Sequence, residues 1–167
     1  MPIYFGTAAP KKVYFGTAAV KKIYFGTALV WAASETVNLN VGSYYTKFGG
    51  NHYQVDIYVT ATEKKYAENK MVIKVEIGIR SLVNYTISSS MTKTGSITVD
   101  GQTKSFTYNC SLSSSQYKIL NTSSYTISSA SAKTITISAS LPFEVIIDGV
   151  GKIITVSPSH QVKLPTL

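Results

Sequence analysis

Ile73-Lys74-Val75-Glu76-Ile77-Gly78-Ile79-Arg80 alternates apolar and polar residues without a break. A period of two is that of a β-strand, whose successive side chains point to opposite faces. Ile73, Val75, Ile77 and Ile79 therefore read as one face turned to a core, with Lys74, Glu76, Gly78 and Arg80 on the other. Upstream, Tyr53, Val55, Ile57, Val59 and Ala61 repeat the pattern against Gln54, Asp56, Tyr58 and Thr60. The charged stretch between them, Glu63-Lys64-Lys65-Tyr66-Ala67-Glu68-Asn69-Lys70, reads as an exposed loop of mixed sign.

Downstream, Ile97 and Val99 lead into Asp100-Gly101, a strong two-residue hairpin signal. Such a loop sets Val99 opposite Gln102 and Ile97 opposite Lys104, so Phe106 and Tyr108 share the apolar face. Tyr125 and Ile127, then Ile135, Ile137, Ala139 and Leu141, alternate with Ser and Thr, and Phe143 to Ile147, Lys152 to Val156 and Gln161 to Leu167 complete the series. Eight or nine strands with frequent turn signals, and no segment of 3.6-residue period, predict an all-β, immunoglobulin-like antiparallel β-sandwich over residues 34–167.

Composition agrees. The chain has 167 residues with 44% hydrophobic and 14% charged, the latter well below the roughly 25% of an average domain. Ser and Thr together number 40, polarity without charge that suits solvent-facing strand positions. The abundance of Val, Ile, Tyr and Phe argues against disorder. Cys110 is the single cysteine, so no internal disulfide is expected, and with two histidines there is little from which to build a zinc site. No run approaches the ~18 apolar residues that a membrane helix requires, and without a secretory signal the chain reads as beginning at Met1 and as made in a cytoplasm.

The N-terminal segment is a repeat. Ile3-Tyr4-Phe5-Gly6-Thr7-Ala8, Val13-Tyr14-Phe15-Gly16-Thr17-Ala18 and Ile23-Tyr24-Phe25-Gly26-Thr27-Ala28 recur with a ten-residue period. Each copy reads as two short strands joined by a tight turn, and Gly6, Gly16 and Gly26 occupy the position where a type II′ turn requires positive φ. Short hairpins cannot bury their own aromatics. Residues 1–33 are thus expected to form a β-hairpin repeat arm that attaches or oligomerises through Tyr4, Phe5, Tyr14, Phe15, Tyr24, Phe25 and Trp31. Lys11, Lys12, Lys21 and Lys22 carry half of the formal net charge of +8. Lysines interleaved with aromatics also match a recipe for single-stranded nucleic acid, but they fit as well the solvated corners of a β-repeat, and nucleic acid is not the expected partner.

Lys21-Lys-Ile-Tyr-Phe-Gly-Thr-Ala-Leu-Val-Trp31 resembles repeats found in structural proteins of tailed bacteriophages. The Lys133-Thr-Ile-Thr-Ile-Ser-Ala-Ser-Leu141 stretch and the closing Val162-Lys-Leu-Pro-Thr-Leu167 resemble the Ser/Thr-rich β-domains of phage minor tail, baseplate and fibre proteins. Ser128 to Ala132 stands where such domains often carry an Asn-Ala-Asp-Gly-like turn. The resemblance implies a non-enzymatic virion component, in tail, baseplate, fibre or capsid decoration. It would be assembled in the host bacterial cytoplasm beside other virion proteins and copies of itself, as a dimer or trimer.

No catalytic, cofactor or metal motif stands out among eight acidic residues and two histidines. Asp56 and Glu76 read as solvated charges on outward strand faces, and His52 and His160 as loop or strand-edge residues. Cys110, in phase with Phe106 and Tyr108, reads as a small buried hydrophobe. The body also carries nine tyrosines: Tyr44, Tyr45, Tyr53, Tyr58, Tyr66, Tyr85, Tyr108, Tyr117 and Tyr125. Exposed ones are suited to stack on sugar rings, so adhesion to a host cell-wall glycan is the alternative function.

Overall fold

The alternation of the central segments is realised as paired strands. The computed structural model describes residues 13–15, 17–25, 27–82, 87–128, 132–147 and 150–166, and every regular element among them is a strand. Two short hairpins come first. β1 (Val13–Phe15) pairs with β2 (Ala18–Val20), and β3 (Lys22–Phe25) with β4 (Ala28–Ala32), each pair a two-stranded sheet of its own. Phe15 stands opposite Ala18 and Phe25 opposite Ala28.

Nine longer strands follow: β5 (Ser34–Phe48), β6 (Tyr53–Lys65), β7 (Lys70–Ser81), β8 (Ile87–Val99), β9 (Gln102–Leu112), β10 (Tyr117–Ser128), β11 (Lys133–Ile147), β12 (Val150–Val156) and β13 (Ser159–Leu164). One antiparallel sheet has the order β10-β7-β6-β5. The other runs β12-β11-β8-β9, with β13 also on β11. β12 and β13 continue a single ladder along β11, from Ile147 opposite Val150 to Lys133 opposite Leu164. Pro158 interrupts it at the sheet edge, where a missing N–H is tolerated, and still accepts from the Ala139 N–H at 3.0 Å.

The inner faces of the two sheets share one core, the arrangement of a β-sandwich. Val55, Ile57, Ile73 and Ile77 from one sheet and Ile97, Ile137, Leu141 and Phe143 from the other belong to the same buried cluster. The predicted inward sets of β6 and β7 are buried without exception. Cys110 is buried among them, and its thiol is pushed up to about 11 by that burial. The Asp100-Gly101 hairpin forms as expected: both residues have positive φ, and Val99 stands opposite Gln102.

Side chains, not backbone ladders, close the two seams between the sheets. Gln102 Nε2 and Lys104 Nζ, polar residues on the inward-facing parity of β9, donate to the carbonyls of Thr126 and Ser124 on β10 at 3.1 and 2.6 Å. On the other side Tyr44 of β5 donates its hydroxyl to the Gln161 carbonyl of β13 at 3.0 Å and stacks on His160 at 4.7 Å.

The expected loop at 63–70 is shorter than its charge pattern implies. β6 continues through Lys65 and β7 begins at Lys70, leaving a turn over 66–69 in which Asn69 takes φ 51°. Tyr66, read as exposed, is buried: Lys21 lies 5.1 Å from its ring centroid and its hydroxyl donates to Glu35 at 2.5 Å. The turn is where the β3–β4 hairpin meets the sandwich, with Lys22 Nζ donating to Asn69 Oδ1 at 2.8 Å.

Candidate functional site

Strand register assembles the chemistry of this molecule on the outward face of the β10-β7-β6-β5 sheet. Reading across the strands, Tyr117, Arg80, Gln54 and Lys47 stand in one row, Ile119, Gly78, Asp56 and Tyr45 in the next, and Thr122, Glu76, Tyr58 and Ser43 in the third. These positions come from three consecutive strands and from β10, distant in sequence, and the Ile119–Gly78 pairing adjoins a register shift in β10.

Asp56 occupies the middle. Although it points away from the core it is only 4% exposed, which corrects its reading as a solvated charge. Arg80 Nε donates to its Oδ2 at 2.8 Å and Gln54 Nε2 to its Oδ1 at 2.5 Å. The neighbouring side chains cover the carboxylate, and the two donors replace the water it has lost. The guanidinium reaches on to the Tyr58 hydroxyl at 3.4 Å. The guanidinium pKa is raised above the ordinary arginine value, first by the hydrogen bond to Asp56, so Arg80 stays charged.

Gly78 is the opening beside this pair. A Cβ at that position would overlap the ring of Tyr117, so the glycine lets the tyrosine lie down across β7. The ring sits 5.2 Å from the Arg80 guanidinium, and its hydroxyl donates to Glu76 Oε1 at 3.4 Å. Burial, followed by the nearby Glu76 charge, pushes that hydroxyl well above the usual tyrosine range and keeps it a neutral donor. Tyr117 nevertheless remains 41% exposed, and Tyr45, across Asp56 on β5, is 62% exposed. The result is a pair of accessible rings flanking a buried carboxylate and the partly exposed guanidinium that neutralises it.

The predicted attachment residues are distributed differently. Tyr14 and Phe15 stand on β1 opposite Ala19 and Ala18, Phe25 on β3 opposite Ala28, and Trp31 on β4 opposite Ile23. Tyr24 is 53% exposed. Tyr4, Phe5 and Gly6 lie outside the described residues, as do Gly16 and Gly26. Among the described residues no group of three His, Cys, Asp or Glu side chains is placed to hold a metal ion, and no helix is long and apolar enough to cross a membrane. His52 sits in the turn after Gly49-Gly50, and His160 packs against Tyr44.

Sequence reasoning named Asp56, Glu76, Tyr45, Tyr58 and Tyr117 separately and missed their convergence. The available signal was an aspartate inside an apolar run with an arginine on the following strand. Comparison of the sequence with protein-family models and with characterised proteins finds no match.

Proposed function

We propose that the chain is a non-enzymatic structural component of a bacteriophage particle, in which the repeat of residues 1–33 attaches or oligomerises and the domain of residues 34–167 projects outward. The observation that carries this reading is the pairing of two successive repeat copies into hairpins of their own, apart from both sheets of the sandwich. A hairpin of three- to five-residue strands is marginal by itself and gains stability by packing its aromatics against a neighbour. The resemblance of the repeat to phage structural proteins supplies the setting.

The connectivity supports an immunoglobulin-like identity for the sandwich. Taking β6 as the first strand, the second pairs with the fifth (β7 with β10) and the third with the sixth (β8 with β11). These are the cross-connections that define the immunoglobulin Greek key. β5 is then an added edge strand, and β9 pairs with the third strand in place of the fifth. Edge strand β12 supports partnership with further copies: its described pairing is to β11 alone, and Ile153 on it is 67% exposed.

The test is solution mass by light scattering of the full chain beside the Phe15→Ser/Phe25→Ser double variant, with circular dichroism to confirm that both are folded. A defined oligomer that dissociates in the double variant supports attachment through the repeat. An oligomer unchanged by the double substitution overturns it, and a monomeric parent chain moves the attachment to a different particle protein. Absence of a tagged chain from particles banded on a density gradient would overturn the virion reading itself.

A further inference from the structure

We infer that the outer face of the β10-β7-β6-β5 sheet is a binding site for an uncharged oligosaccharide, with Tyr117 and Tyr45 as stacking platforms and the Arg80–Asp56 pair as the polar recognition group between them. The inference is independent of how the repeat attaches.

Three observations select this ligand class. First, the ring of Tyr117 is fixed flat by design of the backbone: it occupies the space that only a glycine at 78 leaves, so it is presented to solvent without an ordering cost on binding. A flat, preordered aromatic surface matches the apolar face of a pyranose ring. Second, within the three rows the formal charges cancel, Arg80 and Lys47 against Asp56 and Glu76, with Lys74 in the next outward row, and the central pair is held at 2.8 Å. Charges interleaved and paired in this way do not form the cationic track that nucleic acid or a polyanion follows. Third, the hydrogen-bonding inventory is that of polyol recognition. The Arg80 side chain, 40% exposed, carries five N–H donors in a fixed plane, and the Tyr117 hydroxyl stays neutral beside it.

The site is extended. The Tyr117 ring lies over Gly78 on β7, two interstrand spacings or about 10 Å from β5, so the rings of Tyr117 and Tyr45 are placed to engage different sugars of one chain. Ile119, half exposed beside Gly78, extends the apolar floor. The opposite outer face of the sandwich provides an internal control, since its central rows across β9, β8 and β11 are built from Ser and Thr.

The experiment is isothermal titration of the full chain with cellohexaose, maltohexaose and chitohexaose, and with heparin as the anionic comparison, at ~150 mM salt where weak charge attraction is screened. Saturable binding of at least one uncharged hexasaccharide is expected, weakened about tenfold or more by Tyr117→Ala and by Tyr45→Ala. Tyr117→Phe, which keeps the ring and removes only the hydroxyl, should weaken binding less than Tyr117→Ala. Gly78→Ala, which removes no binding side chain but displaces the Tyr117 ring, should lose affinity in parallel with Tyr117→Ala. Thr98→Ala on the opposite face should change nothing. Failure of all three uncharged probes overturns the proposal, as does affinity that survives both tyrosine substitutions, or a preference for heparin. Thermal melts of each variant separate a lost site from a lost fold.

Discussion

The two outer faces of the sandwich are built on the same antiparallel backbone and over the same core, yet they differ in chemistry. On the β12-β11-β8-β9 sheet the outward rows are hydroxyl-bearing: Thr98 opposite Thr103 and Ser138, Ser96 opposite Ser105 and Ser140. Thr98 and Thr103 share a 2.8 Å hydroxyl contact, and each such group is satisfied by a neighbour or by water. On the β10-β7-β6-β5 sheet the same positions hold aromatic and charged residues that depend on one another. The contrast teaches that a strand face built from short hydroxyls can be altered one residue at a time, whereas a face organised around a buried carboxylate cannot.

Substitutions rank that difference. Phe143→Ala, which empties the core beneath both faces where Phe143 stacks on Phe48 at 4.9 Å, should cost about 3–5 kcal/mol in urea unfolding. It sets the scale against which either face is judged, and a loss under about 1 kcal/mol would show that the two sheets do not share a tightly packed core.

Arg80→Leu should cost about 2–3 kcal/mol, because it strips the main donor from a carboxylate that is nearly inaccessible to water. Arg80→Leu/Asp56→Leu should recover part of that loss, since it removes both charges. A double variant no more stable than the single one would break the claim that the ion pair organises this face.

Alkaline pH probes the core between the faces. The folded thiol of Cys110 is raised from 9.0 to about 11, chiefly by burial, so its contribution is complete below pH 9 and is lost as pH rises through about 11. The loss should be about 2–3 kcal/mol, read as a falling melting temperature across that window and diminished in Cys110→Ala. Tyr108, Tyr117 and Tyr125, all raised by burial first, add to the same alkaline decline. The thiol should also resist alkylation at neutral pH until the chain is unfolded.

The smallest effect belongs to the hydroxyl face. Thr98→Ala or Ser96→Ala should shift stability by about 0.5 kcal/mol or less, measured by thermal melts. A loss equal to that of Arg80→Leu would erase the distinction between the faces.

Much of the architecture was legible in the sequence because parity is a local property. Alternation alone placed Ile73, Val75, Ile77 and Ile79 and the Tyr53–Ala61 set on one buried face, and Asp100-Gly101 fixed a hairpin register without reference to anything distant. The same reasoning went wrong at 63–70, where charge density was read as a loop. Lys64 and Lys65 lie half-buried within β6, and Tyr66 is buried in the turn beside Lys21 and Glu35. No local pattern carries that information.

The residues by themselves determined which side chains face inward, that the elements are strands, and where tight turns must fall, since each follows from the two-residue period and from backbone sterics. Only the tertiary structure decided which outward residues meet. The 66–69 turn pairs Lys65 with Lys70, but two inward odd-numbered sets can oppose one another only if one residue is skipped, and the ladder shifts between Ala61 and Glu63. That single bulge sets Asp56 beside Gly78 and leaves Arg80 two pairs further along, opposite Gln54. The pairing of β10 with β7 then lays Tyr117 over the glycine. A bulge is selected by the burial of a whole face across distant strands, so the candidate site came into being with the fold and was not written in any one segment.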